Sequence, residues 1–487
     1  MSEKSNIQSL PVELLSKILS HVREDRKDGQ ESIKQSRLVS KHFNNVASPF
    51  LIYSVTVCLT LESFNRLEEI CAHPLISKGV RQATVILCFY ERELANNRQL
   101  YMRESRSRLL RHTETMERMR RYKEKFHWTR ELHDWLSHMA WEQSPELNQM
   151  VDEDTTQDPP AQIQKLFLRL YDMYKKRYEE QEILRQNNRH IGRLVAALSS
   201  LPSLACLNLR DFNSQRGLVA SHKQPGADQL LVEDFLDIGY SQDVLQHFDR
   251  GVRASPWCGC FETENSASPP VEMLGELCSQ LGSRGVGLKA LTLFLYPPPD
   301  MDVLKSTPEQ QENIKKLVSE VEYLTITLDS PPRTRQYRRE EMLALGSITK
   351  PLASSPNLDY LVVHLERDCH TSAVFSMADL LPPDTPWPRL QRLMFLYLRV
   401  NLKELRSLVG RHGKTLLRLD WHGVYFPDCS PSELLEAMRG FQALEEVRVD
   451  YPDGDRFLGD PGSPLARWPQ DEVRKYLLRE TDVYPLD

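Results

Sequence analysis

His364, Asp368, Cys369 and His370 combine, in one short stretch, the residue types of a thiol nucleophile, its base and a carboxylate. Such chemistry needs the base held by a third group, with an oxyanion site beside the thiolate. Adjacency in sequence supplies neither. Cys258-Gly259-Cys260 is the only close cysteine pair. Zinc ligands favour two intervening residues and a second ligand pair elsewhere, and the chain has neither. It also lacks His-Glu-x-x-His, Gly-x-Ser-x-Gly and any phosphate-cradling glycine loop. The expectation is a protein with no catalytic residues, no metal and no cofactor.

Two charged stretches lie close together. From Arg98 to Arg130 there are eleven Lys or Arg against four Glu, and from Glu142 to Asp158 six acids and no base. A basic surface of this kind attracts RNA or an acidic partner. The acidic run beside it favours a solvated helix face whose charge is partly balanced, so nucleic acid is not expected as a partner. The net charge of −6 over 487 residues adds no argument for nucleic acid or an anionic membrane. Nine scattered cysteines suit a reducing compartment. Residues 1–8 are polar, and the apolar run near Leu51–Leu61 is too short to span a bilayer. The expected location is the cytoplasm or nucleus, with no membrane contact.

The elements that position side chains show as a recurring apolar–x–x–apolar–x–apolar pattern, the strand signature of leucine-rich repeats. It occurs at Leu204/Leu207/Leu209, Leu288/Leu291/Leu293, Val321/Leu324/Ile326, Leu358/Leu361/Val363, Leu390/Leu393/Phe395, Leu416/Leu419/Trp421 and Leu444/Val447/Val449, with a weaker copy at Val80/Ala83/Val85. The spacing is long and irregular, which predicts whole helices between strands: Ser63–Ala72, Val271–Leu281, Glu309–Glu320, Leu402–Arg411 and Ser432–Phe441. Stacked units of this type make a curved solenoid. Residues 94–200 interrupt the array. Trp128, Leu132, Trp135, Leu136 and Met139 share one helical face. Ile163, Leu166, Phe167, Leu170, Tyr174, Leu184, Ile191, Val195 and Leu198 form another apolar stripe, so a long inserted helical hairpin is expected there.

The N-terminus is a separate small unit. In Leu10-Pro11-Val12-Glu13-Leu14-Leu15-Ser16-Lys17-Ile18-Leu19, Pro11 suits a helix start, and Leu14, Leu15, Ile18, Leu19 and Val22 follow at helical spacing. Ile33, Leu38, Val39, Phe43, Val46 and Ala47 form a second apolar set. A unit of about forty residues cannot close a stable core alone, so part of this surface must dock on something. The charged loop Arg23–Gln30 leaves a second helix only weakly marked.

This stretch resembles an F-box. The pattern Leu-Pro-x-Glu-Leu-Leu-x-x-Ile-Leu is met at Leu10, Pro11, Glu13, Leu14, Leu15, Ile18 and Leu19, and the later Leu-Val-x-Lys-x-Phe at Leu38, Val39, Lys41 and Phe43. Residues 53–57, 73–81 and Trp387-Pro388-Arg389-Leu390-Gln391-Arg392-Leu393 look like filamentous-fungal F-box proteins with degenerate leucine-rich repeats. The resemblance implies binding to the Skp adaptor of a cullin-RING ubiquitin ligase, through Leu10, Pro11, Leu14, Leu15, Ile18, Leu38, Val39 and Phe43. It also implies a repeat array that receives a target protein.

The expected organisation is α/β: an F-box at 1–50, a first repeat-like segment at 51–93, the helical hairpin at 94–200, the solenoid at 201–450 with mobile loops near 211–228 and 251–270, and a C-terminal cap at 451–487. Solenoids bind on the strand face. Alternate strand positions point there: Asn208 and Arg210, Thr292 and Phe294, Thr325 and Thr327, Val362 and His364, Met394 and Leu396, Asp420 and His422, Arg448 and Asp450. The candidate target-binding residues are Arg210, Phe294, His364, Met394, Asp420, His422 and Arg448. A competing surface is the basic stretch at Arg118, Arg120, Arg121, Lys123 and Lys125.

Overall fold

A computed structural model describes residues 10–24, 28–107, 110, 159–211, 270–296, 298, 300–328, 339–365, 376–383, 385–450 and 469–486. Three short helices come first: α1 (Val12–Glu24), α2 (Gly29–Arg37) and α3 (Lys41–Ala47). The Pro11 carbonyl accepts from Leu15 N at 3.1 Å, so Pro11 sits just before the first helical residue. Ser40 caps α3, its side chain accepting from Phe43 N at 3.2 Å. Gly29 lets α2 approach α1, because a Cβ there would lie 2.5 Å from the Val22 carbonyl oxygen. Leu15, Leu19, Ile33, Phe43, Val46 and Ala47 close a small core of their own.

Among the described residues nine strands follow in one parallel sheet, in chain order: β1 (Ser54–Val57), β2 (Gln82–Ile86), β3 (Cys206–Arg210), β4 (Ala290–Leu295), β5 (Tyr323–Leu328), β6 (Tyr360–Leu365), β7 (Arg392–Leu396), β8 (Arg418–His422) and β9 (Glu446–Asp450). The second and third anchors of every repeat read from the sequence fall in register with those of the neighbouring strand. One core ladder runs Ala83, Leu207, Leu291, Leu324, Leu361, Leu393, Leu419, Val447. A second runs Val85, Leu209, Leu293, Ile326, Val363, Phe395, Trp421, Val449. Phe395 and Trp421 stack with ring centres 5.9 Å apart. The backbone repeats as well. At each of the eight junctions, two successive N–H groups converge on one carbonyl before the preceding strand, as Gln391 and Arg392 do on Asp359 (both 3.0 Å). The phase is thus held by main chain and packing together.

Helices cover one face of the sheet: α4 (Leu61–Ala72), then, beyond α5 (Arg92–Asn96) and α6 (Pro159–Arg185), α7 (Arg189–Ser199), α8 (Glu272–Ser283), α9 (Pro308–Val318), α10 (Arg339–Leu352), the single turn α11 (Met377–Leu380), α12 (Leu402–His412) and α13 (Pro431–Met438). Capping boxes start α9 (Thr307/Gln310), α11 (Ser376/Asp379), α12 (Asn401/Glu404) and α13 (Ser430/Glu433), satisfying helix-end N–H groups. Strands pack about 4.8 Å apart and helices about 8–10 Å, so the array curves with the sheet inside. The architecture is a leucine-rich-repeat-like α/β solenoid. Helix α14 (Gln470–Leu477) packs against β9 and α13, burying Val473, Tyr476 and Leu477 at the last repeat.

The interruption after β2 differs in part from the hairpin expected over 94–200. Its first apolar face, Trp128–Met139, lies outside the described residues, as do the loop stretches 212–228 and 251–269. Asp211 and Pro270 at their edges are buried. The second stripe is cut at Asn187 and Asn188, both left-handed (φ 55° and 56°). Beyond the break, α7 lies in the convex layer between α4 and α8, with Ile191, Leu194, Val195 and Leu198 in the sheet's core. The insertion therefore ends before residue 189. Helix α6 is pinned to the segment after β2. Gln181 Oε1 accepts from Tyr90 N (2.7 Å), its Nε2 donates to Tyr90 O (3.1 Å), and Tyr174 OH accepts from Glu91 N (2.7 Å).

Candidate interaction surfaces

The helical face that looked single in sequence divides in two. Leu15 and Leu19 turn inward with Phe43. Val12, Leu14 and Ile18 turn outward, and Leu38 and Val39 stand out at the end of α2. Among the described residues eleven large apolar side chains are exposed, and these five belong to the N-terminal unit. Such a concentration of exposed apolar side chains on so small a unit is the feature that interaction surfaces share. Of the residues assigned to an adaptor interface, Leu14, Ile18, Leu38 and Val39 are therefore available for contact. Pro11 is exposed and Leu10 half-buried. Leu15 and Phe43 support the surface from beneath.

The unit is joined closely to the first repeat. The Arg23 guanidinium lies over the Tyr53 ring, 4.6 Å from its centre. Gly79 packs so tightly on Pro49 that a Cβ would fall 1.5 Å from the Pro49 carbonyl oxygen.

The face of the sheet that no described helix covers carries three rows, one residue from each strand. From β3 to β9 the first runs Cys206, Ala290, Tyr323, Tyr360, Arg392, Arg418, Glu446. The second runs Asn208, Thr292, Thr325, Val362, Met394, Asp420, Arg448, and the third Arg210, Phe294, Thr327, His364, Leu396, His422, Asp450. The seven candidate target-binding residues fall on the second and third rows. Arg210, Phe294, His364, Met394, Asp420 and His422 are half-buried and Arg448 is exposed. Four alternate positions are more enclosed than an open face suggests: Asn208, Thr327, Val362 and Asp450 are buried. Asn208 Nδ2 donates to Thr84 Oγ1 at 3.2 Å.

Charge gathers at the C-terminal end. Arg418 donates from Nε to Asp420 Oδ2 and lies within 2.7 Å of Glu446 Oε2, and these carboxylates raise its pKa, the Asp420 hydrogen bond most. Arg448 Nε donates to Asp450 Oδ2, which His422 Nδ1 approaches at 3.7 Å. Tyr397 is left-handed (φ 56°), its ring edge-on to His422 at 5.4 Å. Only a glycine fits beneath it: a Cβ on Gly423 (φ 59°) would meet the ring at 2.4 Å. At the other end, burial lowers the Arg210 pKa, and its Nε has no hydrogen-bond partner among the described residues.

Of the His364, Asp368, Cys369, His370 set, only His364 is among the described residues, as a third-row residue 6.4 Å from the Tyr397 ring. Cys258, Cys260 and the basic stretch Arg118–Lys125 lie outside them. Among the described residues no three His, Cys, Asp or Glu side chains come together as metal ligands, and no helix is long and apolar enough to cross a membrane. Sequence reasoning missed the first row, with Tyr323, Tyr360 and Arg392, because it sought alternate positions only after the second anchor. It also missed Val12 and Tyr397. The first-row residues could have been found two positions before those named.

No protein-family model matches the chain, and no curated protein matches it. Among solved structures, the leucine-rich repeat-containing protein LegL7 from Legionella pneumophila is similar at 13% identity and a TM-score of 0.22, over 60% of this chain and 78% of that one. A likeness of that size carries no argument, and the repeat architecture rests on strand order and register alone.

Proposed function

We propose that the protein is the substrate-recognition subunit of an SCF-type cullin-RING ubiquitin ligase, in the cytoplasm or nucleus. The N-terminal unit acts as an F-box that binds the Skp adaptor and, through it, the cullin and RING subunits. The sheet face of the solenoid holds a target protein. The protein carries no chemistry itself. It raises the effective concentration of target lysines at a ubiquitin-conjugating enzyme recruited by the ligase.

The observation that carries this reading is the outward apolar set Val12, Leu14, Ile18, Leu38 and Val39 on a unit whose own core is already closed. The F-box pattern of the sequence includes four of that set, Leu14, Ile18, Leu38 and Val39, and Leu15, Leu19 and Phe43 in the core beneath them. Co-purification tests the reading. Recovery of both adaptor and cullin, lost in Leu14→Asp, supports a ligase receptor. Adaptor alone makes the protein a scaffold without ubiquitylation. Neither partner makes it a stand-alone interaction solenoid.

A further inference from the structure

The open face has unequal chemistry along its length. Its acids are all engaged: Asp420 and Glu446 by Arg418, and Asp450 by Arg448. Two of its arginines are not. Arg392, exposed in the first row between Tyr360 and Arg418, has no hydrogen-bond or acidic partner among the described residues. Arg210, in the third row on β3, is half-buried and desolvated, with its Nε unsatisfied among the described residues. A desolvated guanidinium without an anion is a costly arrangement that an incoming carboxylate relieves. The floor between the two arginines is mixed: Phe294, Tyr323, Tyr360 and Val362 are apolar or aromatic, and Thr292 and Thr325 lie among them.

We propose that this face takes an extended acidic peptide segment of the target, two carboxylate side chains pairing with Arg210 and Arg392 and apolar side chains lying on the floor between them. The proposal rests on the reading of the sheet as the target-receiving surface. Four strand spacings separate β3 from β7, and the first and third rows are four residues apart, so the diagonal is about 23 Å. An extended chain advances about 3.3 Å per residue, placing the two acids roughly seven residues apart. Carboxylate fits better than phosphate. Phosphate sites gather several cations around a near-dianion. Here each free arginine stands alone, and the arginine nearest Arg392, Arg418, is already held by two acids.

Selection of a random peptide library on the full chain tests this, followed by titration of the winning peptide. The expected winners carry two Asp or Glu about seven residues apart with aliphatic or aromatic residues between. Arg392→Glu and Arg210→Gln should each weaken binding about tenfold, the loss typical of one charge-assisted pair. Arg389→Glu, an exposed residue outside the three rows, should not. Arg210→Gln keeps a polar side chain in the half-buried site, and an unchanged melting temperature shows that it folds. Winners without acidic pairs, or acidic winners indifferent to both substitutions, overturn the proposal. So does a phosphopeptide that binds more than about tenfold tighter than its glutamate counterpart. If non-acidic winners are lost in Met394→Asp, the sheet remains the receiving surface and only its assigned chemistry fails. If the winners ignore Met394→Asp as well, the sheet-face reading fails with it.

Discussion

Leu14, Leu15 and Leu38 sit in one small unit with opposite exposures, and truncating each to alanine separates adaptor binding from folding. Leu38 is 80% exposed and Leu14 51%, whereas Leu15 is 1% exposed. Complete burial of a leucine contributes about 1.5–3 kcal/mol, and a partner protein gains only the fraction still open to water. Leu38→Ala should therefore weaken adaptor binding by about 2 kcal/mol, roughly thirtyfold, and Leu14→Ala by about 1 kcal/mol, roughly fivefold. Neither should move the melting transition appreciably. Leu15→Ala removes a packed side chain and should cost about 2–5 kcal/mol of stability. It loses adaptor only as the unit unfolds. Equilibrium titration with purified adaptor, paired with thermal melting, measures both quantities. Wild-type affinity in Leu14→Ala and Leu38→Ala, or a larger binding loss in a still-folded Leu15→Ala, would refute the assignment of inner and outer faces.

Acid should destabilise the solenoid through His190 and His412, which burial holds at about 4. Unfolded, each titrates near 6.5, so the unfolded state binds more protons below that value. Stability is complete above about pH 6.5 and falls toward pH 4, and melting in His412→Phe, which preserves an aromatic ring against Trp387, should show a shallower decline. Gly79→Val should force the N-terminal unit off the first repeat, because even a Cβ overlaps the Pro49 carbonyl. Limited proteolysis should then cut near residues 50–53 while the main melting transition persists. Truncation after residue 468 removes α14 and bares the core at Val447 and Val449, so that chain should aggregate on size-exclusion chromatography. A chain starting at residue 51 should stay soluble, since repeats contact mainly their neighbours.

The strand ladders were legible because two buried positions per strand repeat with the same spacing, and nothing else in the fold explains Leu324 and Ile326 beside Leu361 and Val363. Helices α9 and α13 were legible from apolar spacing, but their starts were read one residue late because the capping residues Thr307 and Ser430 were not recognised. Helix α10 was not among the helices expected, and it holds Gly346 and Pro351 inside it. Gly346 admits the Asp379 carbonyl, 2.3 Å from where a Cβ would stand. The break before α7 was hidden because apolar spacing continues across Asn187 and Asn188 while the backbone turns left-handed there. On the binding side, leucine spacing gave the side of each residue but not its depth. Val362 faces away from the core and is still buried, because larger neighbours on adjacent strands, such as Met394, stand about 4.8 Å away.

The long excursion between β2 and β3 has a consequence for how the chain is made. Roughly 120 residues separate these paired strands, whereas β5 to β9 are joined by connections of about a fifth of that length on average. The extra loop-closure entropy is small, about 1.4 kcal/mol, and the finished protein tolerates it. Synthesis feels it more. At about 5–20 residues per second the edge of β2 waits several seconds for β3 to leave the ribosome. The N-terminal unit can close meanwhile on its own small core, but β1 and β2 are an open template until then. Once β3 emerges it covers that edge, and each later strand adds to the one before it in chain order.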